Sequence, residues 1–410
     1  MNLSIARRKH ILDIKSKVSY IEFVVLLASL MALNSLAIDV MLPALDQISY
    51  SLHAKHANDQ HYIIFMYMLG FGLSQIIFGF ISDKYGRKKP LIYGLIVYGI
   101  ASLLCNIVPN FSDLLFLRLL QGGGAAASNV LTISIVRDVY SGKKMASTFS
   151  LIFLVFIMVP VIAPATGQVL LFFGDWHIIF SFMTFASLLT IIWVIIRLPE
   201  TLFETHQLDI KSLLHRIKII LSDREAVYYT LASSCLFGGL YAVLNTAKQI
   251  YVDIFKLGKW FSLAFASIAI AQAIASILNS RLVHTIGIRT TSHSILIIYI
   301  IAAFFMSMIT WLHGGYIFFY SFMFLLFIIM FAYGSIGANF NALAMEHLGN
   351  IAGAAASIIG FARITISALL GLLIAQQFNG TVEPTAFGFL GLGIAALLFV
   401  LYAEKGKLFD

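Results

Sequence analysis

Four ionisable side chains lie well inside apolar stretches of this 410-residue chain: Asp39, Arg118, Lys248 and Arg363. Such groups are costly to hold in a bilayer, so each is a candidate for function. Asp39, in Ile38-Asp39-Val40-Met41-Leu42-Pro43, is the one acid at that depth. In an apolar cavity a carboxyl can take up and release a proton near physiological pH; the alternative is a solvated or capping carboxylate near an interface. Arg118 cannot release its proton. Its role is therefore electrostatic, tuning a nearby acid or holding an anionic part of a ligand, unless it is a structural arginine bound to backbone carbonyls. With Lys248 and Arg363 the deep cations outnumber the deep acid, which favours a ligand carrying a carboxylate or another anion. Two plainer readings stay open: Lys248 snorkels to an interface, and Arg363 pairs with Glu346. Asp46, Asp253 and Glu346 lie nearer the ends of apolar stretches.

The elements that must position these groups are membrane-crossing helices. Residues are 60% hydrophobic and 11% charged, with a mean hydropathy of +0.92, which no soluble domain matches. Runs of the roughly 20 apolar residues that a crossing needs recur along nearly the whole chain. Twelve spans are expected at about 18–46, 61–82, 90–108, 112–136, 144–173, 177–198, 226–253, 260–283, 289–312, 315–345, 350–378 and 385–403. Lys and Arg gather in alternate connections, as in Lys84, Arg87, Lys88 and Lys89, and in Arg137, Lys143 and Lys144; this asymmetry puts both termini on the cytoplasmic side. The formal charge of +8 is explained by those loops, so no nucleic acid partner is expected. Cys105 and Cys235 both fall in apolar runs and imply neither a disulfide framework nor a zinc site. His53, His56 and His61 lack an acid or cysteine to complete a ligand set, and no metal is expected. No phosphate-binding loop, nucleophile elbow or metalloprotease pattern is present; an enzyme is not expected, nor a cofactor.

The basic stretch Gly79-Phe-Ile-Ser-Asp83-Lys-Tyr-Gly86-Arg87-Lys-Lys-Pro90 joins the second and third spans. Gly86 permits a tight reversal, and Asp83 offers a carboxylate to a helix N-terminus or an arginine. This stretch resembles the loop between the second and third helices of the major facilitator superfamily, with every fixed position of G-x-x-x-D-[RK]-x-G-R-[RK] filled. Asn279-Ser-Arg-Leu-Val-His284-Thr-Ile-Gly287-Ile-Arg289 reads as a degraded copy of it, with His284 where Asp83 would fall. The resemblance extends further. Asp39-Val-Met-Leu-Pro43-Ala-Leu is similar to the first helix of Bcr/CflA-type drug:proton antiporters, and Arg118-Leu-Leu-Gln121-Gly122 to the facilitator R-x-x-Q-G pattern. Pro164 and Gly167 match part of the antiporter signature G-P-x-x-G-G, while Ala163 and Gln168 depart from it. The stretch holding Asn339, Asn341 and Glu346 resembles the tenth helix of that subfamily, and Leu198-Pro199-Glu200-Thr201 closes the sixth.

The resemblance implies an all-α integral membrane protein with twelve transmembrane helices in two six-helix pseudo-symmetric halves. On this reading residues 1–17 are a cytoplasmic tail, 18–198 the first half, 199–225 a linker, 226–403 the second half and 404–410 a second tail. Within the linker, Lys211-Ser-Leu-Leu-His-Arg-Ile-Lys-Ile-Ile-Leu221 alternates apolar and basic residues at near-helical spacing and is expected to lie along the inner membrane surface. The implied function is proton-coupled export of small organic compounds across a bacterial inner membrane, by a monomer whose partners are protons, lipid and a small-molecule substrate. Asp39 and Arg118 would couple protons. Substrate would meet Asp39, Arg118, Gln121, Tyr241, Asn245, Lys248, Asn339, Asn341 and Arg363, with Phe65, Tyr67 and Tyr333 as further aromatic lining. Gly79, Asp83, Gly86, Arg87, Pro164 and Gly167 would act as a conformational gate. The excess of deep cations keeps a dedicated carrier of a carboxylated metabolite or siderophore as the alternative. A non-transporting sensor or scaffold is the alternative of another class.

Overall fold

A computed structural model describes residue 14 and residues 16–203 and 210–409; most of the expected first tail and part of the linker fall outside the described residues. The chain is built from helices: α1 Tyr20–Asp39, α2 Leu45–Ser51, α3 His61–Tyr85, α4 Lys88–Leu104, α5 Phe111–Val139, α6 Gly142–Leu170, α7 His177–Arg197, α8 Ile210–Ser222, α9 Arg224–Lys248, α10 Phe261–Ile286, α11 Ile288–Leu312, α12 Phe319–Ala344, α13 Ala352–Gln376 and α14 Glu383–Ala403. Among the described residues, 11 helical stretches are long and apolar enough to cross a membrane. The expected third span is represented by α4, whose 17 residues sit at the short end of what a crossing requires. It stops early because Cys105 closes it and Asn106 Nδ2 turns back to the carbonyls of Ser102 and Leu103.

Contacts divide the chain into two units, Met1–Ala54 with Met66–Ser212, and Lys55–Phe65 with Leu213–Asp410. In the first, α1 packs on α5, α6 and α7, while α4 packs on α5 and α7. Its core is aliphatic, from Leu26, Leu27 and Leu30 of α1 to Leu131 and Ile135 of α5. In the second unit α9 is the central element, lying against α12, α13 and α14, and α10, α11 and α12 close the remainder. Opposite faces leave large apolar side chains uncovered, among them Phe185, Leu189, Phe304 and Phe324, as a lipid solvent allows.

Close backbone approach is bought by missing side chains at the first unit's centre. A Cβ on Gly122 of α5 would stand 1.9 Å from the carbonyl oxygen of Tyr67 on α3, so only glycine lets these helices meet there. The first expected span, 18–46, is discontinuous. α1 ends at Asp39, a short turn Leu42–Ala44 carrying Pro43 follows, and α2 starts at Leu45. Pro164 lies within α6, which remains one helix through it. Three residues on, Gly167 faces the break, where a Cβ would stand 2.0 Å from the carbonyl oxygen of Val40. The linker helix appears as α8, with Ile220 buried and Leu214 and Leu221 exposed.

Candidate functional site

The break after α1 exposes the last carbonyls of a helix, and the first unit builds a polar cluster around it. Asp39 is 4% exposed and its Oδ2 accepts a hydrogen bond from Ser35 Oγ at 2.9 Å, one turn earlier. It makes no ion pair with any described residue. An ionised carboxylate in a dry site takes several donors; Ser35 supplies one. Its burial disposes of the reading in which Asp39 is solvated at an interface.

Arg118 comes from α5 and is fully buried. Its Nη2 donates to the carbonyl of Ala37 at 3.1 Å, two residues from Asp39 on the freed end of α1. Its Nη1 donates to Gln121 Oε1 one turn along, and its guanidinium lies 4.5 Å from the ring centre of Tyr67, in cation–π range. Tyr67 in turn donates to Asn34 Oδ1 at 2.9 Å. Gln121 is held from the other side, its Nε2 donating to Ser102 Oγ at 2.7 Å and touching Met183 Sδ at 3.4 Å. The structure thus brings Asp39, Arg118 and Gln121 into one unit with Asn34, Ser35, Tyr67, Ser102 and Met183. Of these, Asn34, Ser35, Ser102 and Met183 escaped sequence reasoning, because uncharged groups in apolar runs carry no signal of their own.

The basic stretch forms a separate ionic clasp. Gly79 sits half-buried on the last turns of α3, its carbonyl accepting Ser82 Oγ at 3.0 Å. Gly86 takes φ +86°, a value that favours glycine, and turns the chain into α4. Arg87 Nη1 then reaches Asp83 at 2.7 Å and Ser82 Oγ at 2.8 Å, while its Nε reaches Asp138 at the end of α5 at 3.0 Å. Burial alone would lower this guanidinium, but the charge and hydrogen bond of Asp138, then those of Asp83, outweigh it and hold it above its ordinary value. Glu200 completes the clasp. Its carboxylate accepts the backbone N–H groups of Arg87 and Lys88 at 2.7 and 3.1 Å, occupying the anion site of the α4 N-terminus, and those of Thr201 and Leu202. The only sequence sign of Glu200 is its place just after the sixth span.

In the second unit Gly287 repeats the turn with φ +85°, and the cation sits two residues on. Arg289 binds three carboxylates: Glu225 at 2.9 Å, Glu346 at 2.9 Å and Glu404 at 2.8 Å. Tyr229 also donates to Glu404 and contacts His293 Nε2 at 3.1 Å, and His293 Nδ1 meets the carbonyl of Leu408 at 2.6 Å. Burial would raise the Glu404 carboxyl, but the bonds from Tyr229 and Arg289 and the Arg289 charge hold it below its ordinary value. Glu346 therefore belongs to Arg289, which removes the reading in which it pairs with Arg363.

The other expected substrate residues divide. Lys248 is engaged by Asp253 at 3.0 and 3.2 Å across the π-helical turn Gln249–Ile254, so an acid does reach this cation. Asn339 exchanges two amide hydrogen bonds of 2.9 Å with Asn279 between α12 and α10, a structural use. Asn341 is half-buried on α12, its amide near Met345 Sδ at 4.0 Å. Tyr241 of α9 lies within electrostatic reach of Arg363 of α13, while Asn245, one turn further along α9, donates its Nδ2 to the Tyr241 carbonyl at 2.7 Å. Of the three histidines, His61 is buried while His53 and His56 are exposed.

Comparison with known proteins shows the family of the chain. Residues 27–372 match the family model described as Major Facilitator Superfamily. The uncharacterized MFS-type transporter YdgK of Bacillus subtilis is 29% identical over 91% of this chain and 93% of its own length. The bicyclomycin resistance protein homolog of Haemophilus influenzae is 28% identical over 89% and 92%, and the chloramphenicol resistance protein of Pseudomonas aeruginosa is 28% identical over 63% and 62%. Among solved structures, a D-xylose-proton symporter superposes with a TM-score of 0.72 over 95% of this chain and all of that one, at 16% identity, a likeness of fold. With a family model matching residues 27–372, the chain belongs to the Major Facilitator Superfamily of membrane transporters, and within it resembles the Bcr/CflA-type proteins.

Proposed function

We propose that the chain is a proton-coupled exporter of small organic compounds, a drug:proton antiporter working by alternating access. It crosses a bacterial inner membrane twelve times with both termini cytoplasmic and acts as a monomer. Relatives that bear the names of bicyclomycin and chloramphenicol resistance proteins support export of antibiotics. The observation that carries proton coupling is Asp39: a buried acid with a single hydrogen-bond donor, at a helix break, two residues from the carbonyl that anchors Arg118. Protonated, it needs no cation; ionised, it needs one. The carboxyl therefore exchanges a proton for a ligand that supplies charge or hydrogen bonds, and each exchange is linked to a change of access. Arg118, fixed by Ala37, Gln121 and Tyr67, sets the local field without moving a proton itself. The clasp of Asp83, Arg87, Asp138 and Glu200 holds the first unit in one of its end states, and the Pro164–Gly167 segment of α6, seated on the break, transmits movement to Asp39.

The test is proton flux in vesicles loaded with a pH-sensitive dye and challenged with chloramphenicol. Asp39→Asn should keep the protein folded, as judged by its size-exclusion profile, and abolish chloramphenicol-dependent flux; flux retained at the wild-type rate sinks the assignment.

A further inference from the structure

Arg363 stands apart from every other arginine among the described residues. Arg87, Arg118, Arg197 and Arg289 each have named anionic or carbonyl partners, and Arg137, Arg216, Arg224 and Arg281 are exposed. Arg363 is half-buried and its side chain makes no hydrogen bond or ion pair with any described residue; its Nε is buried without a partner. It lies near the middle of α13, Ala352–Gln376, about 16 Å along the axis from one end and about 20 Å from the other at about 1.5 Å per residue. From there it cannot snorkel to a headgroup. The guanidinium rests 4.8 Å from the ring centre of Phe237, which covers a face and leaves its edge donors uncommitted.

A second uncommitted polar atom lies beside it. Tyr333 is 5% exposed and its hydroxyl has no partner; its ring packs 4.6 Å from that of Phe237, and it lies within electrostatic reach of Arg363. Buried polar groups are ordinarily satisfied, and here the Nε of Arg363 and the hydroxyl of Tyr333 are not.

We propose that Arg363 and Tyr333, floored by Phe237, form a subsite in the second unit for the carboxylate of an aromatic substrate. The guanidinium edge binds the two oxygens in a fork, Tyr333 adds a third donor, and the two rings receive the apolar part. A cationic ligand is repelled at this point. The subsite rests on the transport reading and names its substrate class, and it is distinct from Lys248, whose ammonium is held by Asp253.

Equilibrium dialysis of the detergent-purified full chain tests it with three probes of one shape: 2-naphthoate, its methyl ester and 2-naphthylmethylammonium. Wild type should bind the carboxylate about tenfold tighter than either other probe, the discrimination expected of a charge-assisted hydrogen-bond pair. Arg363→Gln should lose about tenfold for 2-naphthoate and less than about twofold for the ester, and Arg363→Lys should recover part of the loss. Tyr333→Phe, which removes one hydroxyl and no bulk, should cost about threefold for 2-naphthoate alone, and keeps the test open should Arg363→Gln fail to fold. Equal binding of the three probes by wild type, or equal loss of all three in Tyr333→Phe, overturns the proposal. The measurement needs no proton gradient, so failure of Asp39-dependent antiport leaves its outcome readable.

Discussion

Replacing Arg289 by Met would remove the hub on which Glu225, Glu346 and Glu404 converge while keeping the aliphatic stem. The side chains of Glu225 and Glu404 are 20% and 16% exposed, that of Glu346 44%, so the last contributes little. The two better-buried carboxylates each lose a charge-assisted hydrogen bond and are left facing one another, which together costs about 3 kcal/mol. If the second unit, about two hundred residues, melts cooperatively, its midpoint should fall by about 6–12 °C. The effect has a signed pH dependence. Glu404 is held below its ordinary value near 4.5, so its contribution to stability is complete above that value and is lost as pH falls through the lower folded value. The variant has already lost most of it. In thermal melts of the purified protein, the gap between wild type and Arg289→Met should be widest at pH 7 and should narrow as pH is lowered below 4.5. A gap that is absent at pH 7, or that stays constant until both proteins unfold in acid, refutes the reasoning.

Two further outcomes follow from packing. Gly167→Ala places a methyl against the Val40 carbonyl and should cost several kcal/mol, about 3, along with transport, whereas Gly353→Ala, where a Cβ meets nothing within 4 Å, should leave the melting temperature unchanged or slightly raised; equal melting temperatures for the two variants would count against the close contact at the break. Glu200→Ala strips the acceptor from the backbone of Arg87 and Lys88 and should lower stability by about 1–2 kcal/mol, with Glu200→Gln intermediate; thermal melts of both variants decide it.

Much of this architecture is legible in the sequence, and what is not has physical causes. Apolar run length locates most helices, because length and hydropathy are one-dimensional. The turn at Gly86 is legible too, since few residues accept its φ. The break in the first span is not: Pro43 marks a turn, but the Gly167–Val40 contact that seats it joins positions far apart in the chain. Partners of the ionic groups are the least legible. Arg289 meets residues 57 to 115 positions away, and which helix ends converge is a property of packing. Lys248 shows the local version, since a helical period of 3.6 does not put residues five apart on one face, and the π turn brings Asp253 round to it. Arg363 was readable as an unmatched cation; that nothing described relieves it required the fold.

The backbone contact at Gly122 limits how this protein can adapt. α3 and α5 touch main chain to main chain, so their spacing is fixed by peptide geometry and no series of side-chain exchanges can widen it. The groups on either side of that contact, Tyr67 and Arg118, are thereby kept at a set separation whatever else drifts. If the first unit binds substrate as proposed, variation in what it recognises must then arise at positions such as Asn34 and Met183, where side chains border the cluster without setting its frame. A scaffold with a rigid gauge and exchangeable borders can broaden its repertoire in single steps, each compatible with the fold it started from.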